Sequence, residues 1–289
     1  MISERQGFKW QLCVSWMCIL LVSAAPKMLY AEVLRLKYQP GETLKYAIKA
    51  SGITQMQTGG LTPEIKMPMQ MDFTATQRVL KVDEAGNYVV RMNVVGQMQV
   101  TTPQGTTETV RLPESEVETV VTPTGKTLSY KVLKPEKLPI ATPGGKLPID
   151  VSAFASAAVG FPEGEVNVGD TWEYKTDVKV SEEKSITLSG TGKFIGYEEK
   201  GKFKCAVIEL EQSSPSMTAL MLSQMGLEGS SGMAKLKIKI WFSVELGRII
   251  YQEGRYDDVM TMPLELPGGE IKLTSATAVN FVIGLVEQR

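Results

Sequence analysis

Histidine is missing from all 289 residues. A Ser-His-Asp triad, an HExxH zinc site and an imidazole pH switch are therefore excluded. Cysteine is scarce: Cys13 and Cys18 fall within the first thirty residues, which leaves Cys205 with no internal disulfide partner and no CxxC motif. Charge of one sign is lacking too, with 31 Lys+Arg against 32 Asp+Glu. Such a balance gives no basic surface for nucleic acid. Aromatic residues make up only 7%, and Asn-x-Ser/Thr acceptors are absent. The longest apolar run, Leu12 to Val22, falls short of the roughly 20 residues that span a bilayer as a helix.

What is present begins with a leader-like segment. Arg5 and Lys9 precede that apolar run, and Ser23, Ala24 and Ala25 follow it, the layout of a secretory signal peptide over Met1 to Ala31. Cleavage after Ala31, at a Leu-Tyr-Ala end, suits the machinery better than cleavage after Ala25, which would place Pro26 beside the scissile bond. No small residues form a lipoprotein box ahead of either early cysteine. The expected location is exported, periplasmic or extracellular. Arg5, Lys9, Lys27 and Glu4 leave with the leader, so the mature chain carries 28 basic and 31 acidic residues. Its stability must come from a hydrophobic core.

Period-two alternation dominates that chain and predicts roughly a dozen antiparallel strands. Leu236, Ile238, Ile240, Phe242 and Val244 alternate with Lys235, Lys237 and Lys239, which puts one face in the core and the other in water. Tyr88 to Val94, Trp172 to Val180 and Ile271 to Leu285 follow the same rule. Turns are expected at Glu84–Asn87, Thr122–Gly125, Glu199–Gly201 and Leu246–Gly247.

Three ordered phrases recur between the halves. Gly41-Glu42-Thr43-Leu44-Lys45-Tyr46 matches Gly169-Asp170-Thr171-Trp172-Glu173-Tyr174; Gly86-Asn87-Tyr88 matches Gly201-Lys202-Phe203; the turn before Tyr130 matches the turn before Tyr251. This predicts a duplication, with half 1 over 32–134 and half 2 over 164–289. Residues 135–163 form a Pro/Gly-rich connector in which Asp150 caps a short helix bearing Val151, Phe154, Ala155 and Ala158. A second helix is expected after Ser214, with Pro215 at its first position and Met217, Leu220, Met221 and Met225 on one side.

Methionine is abundant, at 15 residues. Unbranched thioethers adapt to irregular apolar shapes, so Met67, Met69, Met217, Leu220, Met221 and Met225 are the candidate ligand-binding residues, for a hydrophobic or lipid-like molecule. The same residues could simply fill the open end of a curved sheet. Copper(I) is the only metal they would suit, and without histidine or a second cysteine no metal or cofactor is expected.

The remaining motifs read as structure. Gly190-Thr191-Gly192-Lys193-Phe194-Ile195-Gly196 lacks the following helix that a phosphate-binding loop needs, and is expected to mark bends or bulges. Ser181-x-x-Lys184 sits in a charged tip between two strands and reads as a solvated hairpin turn, without the desolvation that a lysine base needs. Asp257-Asp258 and Glu114, Glu116, Glu118 could pair as carboxylates, but the glutamates alternate as the wet face of an edge strand would. Asp170 and Trp172 belong to a turn and the core plug after it, and Cys205 to the core. The chain is not expected to be an enzyme.

Tyr38-Gln39-Pro40-Gly41-Glu42-Thr43-Leu44-Lys45-Tyr46, with Gly160-Phe161-Pro162 and Val166-Asn167-Val168-Gly169-Asp170-Thr171-Trp172, resembles a group of uncharacterised bacterial exported proteins carrying duplicated β domains. More distantly, curved strands with helices at one opening look like the half-barrel lipoprotein carriers that shuttle acyl chains. The exported group carries no activity over to any residue here. The alternation, the repeat and the expected helices together predict a mainly β fold of two related, half-barrel-like antiparallel halves with short covering helices. The Met-bearing helix with the missing catalytic groups points to a non-catalytic cell-envelope protein binding a hydrophobic or lipid-like ligand. The alternative is a structural or adhesion module that meets a protein partner through its sheet edges.

Overall fold

The computed structural model describes residues 31–59, 64–134, 140–142, 145–147, 159–179, 185–216, 218–219, 222, 229–266 and 269–289. The chain divides into Met1–Ala31 and Glu32–Arg289, and the second unit is the one described below. Its strands are β1 (Thr43–Thr58), β2 (Ile65–Val82), β3 (Tyr88–Thr101), β4 (Thr107–Val121), β5 (Thr127–Lys134), β6 (Ile140–Thr142), β7 (Gly145–Leu147), β8 (Thr171–Lys179), β9 (Ser185–Lys200), β10 (Phe203–Pro215), β11 (Ser231–Ser243), β12 (Arg248–Leu266) and β13 (Gly269–Gln288). Apart from the β6–β7 hairpin they form one eleven-stranded antiparallel sheet in the order β5-β4-β3-β2-β1-β13-β12-β11-β10-β9-β8. Neighbours in sequence are neighbours in the sheet, except where β13 returns to β1, a ladder running from Leu44↔Gln288 to Thr58↔Leu273. The end strands β5 and β8 lie beside each other without joining the ladder, so the sheet is nearly closed and barrel-like.

Alternation sets the inside. Ladder partners share a face, and one such row reads Ile240, Gln252, Ile283, Ile48, Phe73, Gly96, Leu112 across seven strands from β11 to β4. Lys239, Glu253, Val282, Lys49, Asp72, Gln97 and Arg111 make the matching outer row.

One end of the barrel is sealed by two extended segments that precede β1 and β8. They meet at a single antiparallel bridge, Glu32 to Val166, and bury Leu34, Leu36, Val159, Phe161 and Val166 against Tyr88, Phe194, Ile208, Ile240 and Phe242. Phe161 meets Phe242 edge to face at 4.8 Å. The connector is thus not only a linker, since its last residues are core. Polar groups close the seal as well. The Tyr88 hydroxyl donates to the Leu36 carbonyl at 2.8 Å, and Trp172 Nε1 donates to the Gly160 carbonyl at 2.7 Å. Arg248 and Glu42 form an ion pair with both side chains under 10% exposed, and Gln288 Nε2 donates to the same carboxylate at 3.1 Å.

Glycines at φ > 0 stand where the turns need them. Gly41 donates its N–H to the Val79 carbonyl in β2 and Gly169 to the Phe194 carbonyl in β9, and those residues donate back to the carbonyls of Glu42 and Asp170. Bulges fall at Leu80 in β2 and at Ile195 in β9, then at Leu128 in β5 and at Ile250 in β12.

The expected covering helices are corrected here. Among the described residues helical conformation is confined to Thr218, Ala219 and Leu222. Pro215 does not open a helix: it ends β10, paired with Met233, and the Ser216 hydroxyl instead accepts the Ala219 N–H at 3.0 Å. Proline suits a strand terminus, and serine is the better cap. The helix expected after Asp150 lies outside the described residues.

Two outcomes test this account of the sealed end. Arg248→Met is expected to destabilise the fold by about 3–5 kcal/mol, because it strands a buried carboxylate, whereas Glu42→Met with Arg248→Met restores part of that loss; urea unfolding measures both. Burial pushes the Tyr174 hydroxyl up to about 12 from its ordinary 10.0, and burial raises Tyr38 and Tyr46 as well. A raised native pKa stabilises fully below the unfolded value, so stability should fall as pH climbs from 10.0 towards about 12. Tyr174→Phe should remove an increment of tyrosinate absorbance that in the parent rises only together with loss of tertiary circular dichroism, and an increment that appears before that loss would contradict the buried placement.

Candidate functional site

Beyond the sealed end the inner wall is apolar and incompletely covered. Successive inner rows read Phe281, Ala50, Met71, Met98, Val110; then Tyr256, Val279, Gly52, Met69, Val100; then Asp258, Thr277, Thr54, Met67; then Met260, Ser275, Met56, Ile65. Ile48, Ala50, Met56, Met67, Met69, Met71, Val100, Phe281 and Ile283 are only half-buried, although they face inward. At the sealed end the equivalent residues Leu44, Val79 and Ile240 are 0% exposed. The wall therefore passes from a dense core to a surface that a further apolar body could cover.

Met67 and Met69 stand on this wall, together with Met56, Met71, Met98, Met260 and Met262. Met98, Met260 and Met262 are buried, the last two against Ala219, Leu222 and Leu273. Met217, Leu220, Met221 and Met225 lie outside the described residues. Sequence reasoning missed Met98 because its relevance depends on the β2–β3 register, although its shared parity with Val94 carried part of the signal.

Asp258 is the charged member of these rows. It is 3% exposed on the inner face, its Oδ2 accepts the Thr218 hydroxyl at 2.7 Å, and its Oδ1 has no partner among the described residues. Asp257 points the other way and binds Arg255 at 2.7 Å, whose hydrogen bonds hold its carboxyl below the usual range. Adjacent residues of a strand face opposite sides, so the two cannot act as a carboxylate pair.

Other motifs resolve as packing. Gly190 and Gly192 sit under the rings of Tyr174 and Trp172, where a Cβ would come within 2.8 Å and 2.2 Å of ring atoms. These glycines admit aromatics across the ladder, and the bend falls at Ile195. Glu114, Glu116 and Glu118 form a wet face as expected, tied to Asn93 and Arg91. Their strand is not an edge, however: β4 has β3 and β5 on its two sides, and β5 ends the sheet. Asp170 Oδ2 accepts the Asn167 N–H at 2.8 Å in its turn. Cys205 is fully buried beside Val207, Trp241 and Ile250, and burial raises its thiol pKa. Ser181 and Lys184 lie outside the described residues. No group of three His, Cys, Asp or Glu stands together among the described residues.

No protein-family model matches the chain, and no curated protein matches it either. Among solved structures, one described as lipid–protein interactions in lipovitellin aligns with 88% of this chain and 26% of its own, at 10% identity and a TM-score of 0.44. The chain thus spans about a quarter of that protein's length.

The wall's two kinds of methionine should separate by stability. Met98→Ala is expected to cost about 2–5 kcal/mol as a buried truncation, and half-buried Met69→Ala less than about 1.5 kcal/mol. Chemical denaturation of both variants checks this, and equal costs would mean that the wall is filled evenly.

Proposed function

We propose that this chain is an exported, non-catalytic protein of the cell envelope that holds an apolar or lipid-like ligand against the methionine-bearing inner wall. The observation that carries this is the half-burial of Met67, Met69, Met71 and Phe281 on the inward face of a nearly closed sheet. A barrel serving only as scaffold gains most by covering such residues fully, at about 25 cal/mol per Å². Thioethers suit ligands of variable shape. The absence of histidine supports a binding role over a hydrolytic one, and the leader-like layout of Met1 to Ala31 supports export.

Two related halves belong to the same reading. The matched glycines Gly41 and Gly169, Gly86 and Gly201, and Gly125 and Gly247 all have φ > 0. The reciprocal hydrogen bonds at Gly41 and Gly169 and the bulges at Leu80 and Ile195, and at Leu128 and Ile250, keep the offsets of the sequence phrases. An ancestral five-stranded unit repeated twice, with β13 added between, accounts for this pattern. The adhesion alternative needs a free lengthwise edge, and the proximity of β5 and β8 speaks against it.

Lipid extraction and mass spectrometry of the purified protein, with titration by an environment-sensitive naphthyl dye, tests the ligand. A co-purifying amphiphile and saturable dye binding are expected, weakened at least about tenfold, or roughly 1.4 kcal/mol, by Met67→Asp with Met69→Asp, which puts charge on the wall. No amphiphile together with no dye response would sink the proposal.

A further inference from the structure

We propose that Met69, Met71 and Met98 form a soft-metal site that takes one monovalent copper or silver ion through their thioether sulfurs. The β2–β3 ladder makes Met71 and Met98 direct partners, and it makes Met69, whose own partner is Val100, the diagonal neighbour of Met98. Direct cross-strand partners bring their Cβ atoms to about 4.5–5.5 Å, and diagonal neighbours stand about 7–8 Å apart, still within reach of long side chains. Methionine has three rotatable bonds with which to cross that gap. Three sulfurs from two strands can therefore meet on one ion.

The surroundings favour this trio over the other methionines. On the far side of β2 the ladder partners of Met71 and Met69 are Ala50 and Gly52. These are the smallest side chains available, and the Val279 side chain lies over Gly52, its Cγ2 2.9 Å from where a Cβ would stand, so the wall beside the trio offers no competing polar ligand. Met98 is 6% exposed and forms the floor, while Met69 and Met71 are half-buried, so an ion arrives from the open side. Met260 and Met262 are instead covered by Ala219 and Leu222. Met233 faces outward, 56% exposed, with Pro215 and Val259 as its ladder partners.

Ligand softness decides the ion. Thioethers select Cu(I), whereas Zn²⁺ calls for thiolate, imidazole or carboxylate and Ca²⁺ for hard oxygen. The chain contains no histidine, and the inner-row residues beside the trio, namely Ala50, Gly52, Val100 and Val110, are apolar or small. The site would therefore hold Ag(I), the redox-inert stand-in for Cu(I), and ignore Zn²⁺. This inference does not depend on a lipid-like ligand, because replacing methionine by leucine keeps the wall apolar and nearly the same volume while removing its sulfur.

The test uses the full chain with silver nitrate in chloride-free buffer, read by the ε-methyl resonances of ¹³C-methionine and by equilibrium dialysis. The three methyl signals are expected to shift together and to saturate one equivalent beyond the silver taken up by cysteine thiols, with no response to Zn²⁺. Met69→Leu with Met71→Leu and Met98→Leu should lose one bound silver per chain, while Met233→Leu should lose none. Silver held by cysteine thiols persists in both variants and so cancels. Single variants Met71→Leu and Met98→Leu, each expected to weaken binding at least tenfold, guard against misfolding of the triple change. Methyl signals that do not shift together, or a triple variant that binds as much silver as the parent, would overturn the site. If silver behaves as expected while no variant or parent binds an apolar dye, the carrier reading falls and the metal site stands.

Discussion

The structure depends on the ladder between β1 and β13. A meander of five strands and another of six would each be an open sheet with two lengthwise edges, and an open edge carries unpaired N–H and C=O groups. Joining β1 to β13 along nearly their whole length turns two such sheets into one, and bringing β5 beside β8 nearly completes the circuit. Everything assigned to an interior, from the dense end to the methionine wall, exists because of that joining.

The dense end explains why the other end can be left thinly covered. Two extended segments and the aromatic cluster around Phe161, Phe194 and Phe242 supply a compact core, with a second one on the outer side around Cys205, Val207 and Trp241. The outer core arises where bulges shift the alternation: Trp241 and Phe242 are adjacent, yet both are buried, on opposite faces. Lys200 lies over the Trp241 and Tyr251 rings at 4.3 and 3.6 Å, and Trp241 Nε1 donates to Glu198 at 2.7 Å. That hydrogen bond, with the one from Lys239, holds the Glu198 carboxyl below its usual range.

Much of this was legible in the chain alone. Alternation from Leu236 to Phe242 named the strand and its inward face, and the Gly-containing turns fell where φ > 0 is observed. Short helices were not legible. The stripe after Ser214 has helical spacing, but Pro215 reads equally well as a strand end, and the ladder with Met233 decides it. The glycines at 190 and 192 suggested bends for want of their neighbours, since only the β8–β9 register reveals the rings above them. The inner methionine wall was half legible for the same reason: Met67 and Met69 share the parity of one strand face, whereas Met98 reaches them through pairing across a hairpin of some thirty residues, which no local pattern encodes.

Pairing the first strand with the last also has a temporal cost. Contacts so distant along the chain form slowly, since loop closure must come before any gain from the ladder. Until Gly269–Gln288 arrives, β1 and β12 each present a bare flank along which a second nascent molecule could add its own strand. Factors that shield unfinished sheets would therefore matter more for the yield of this protein than for its final stability.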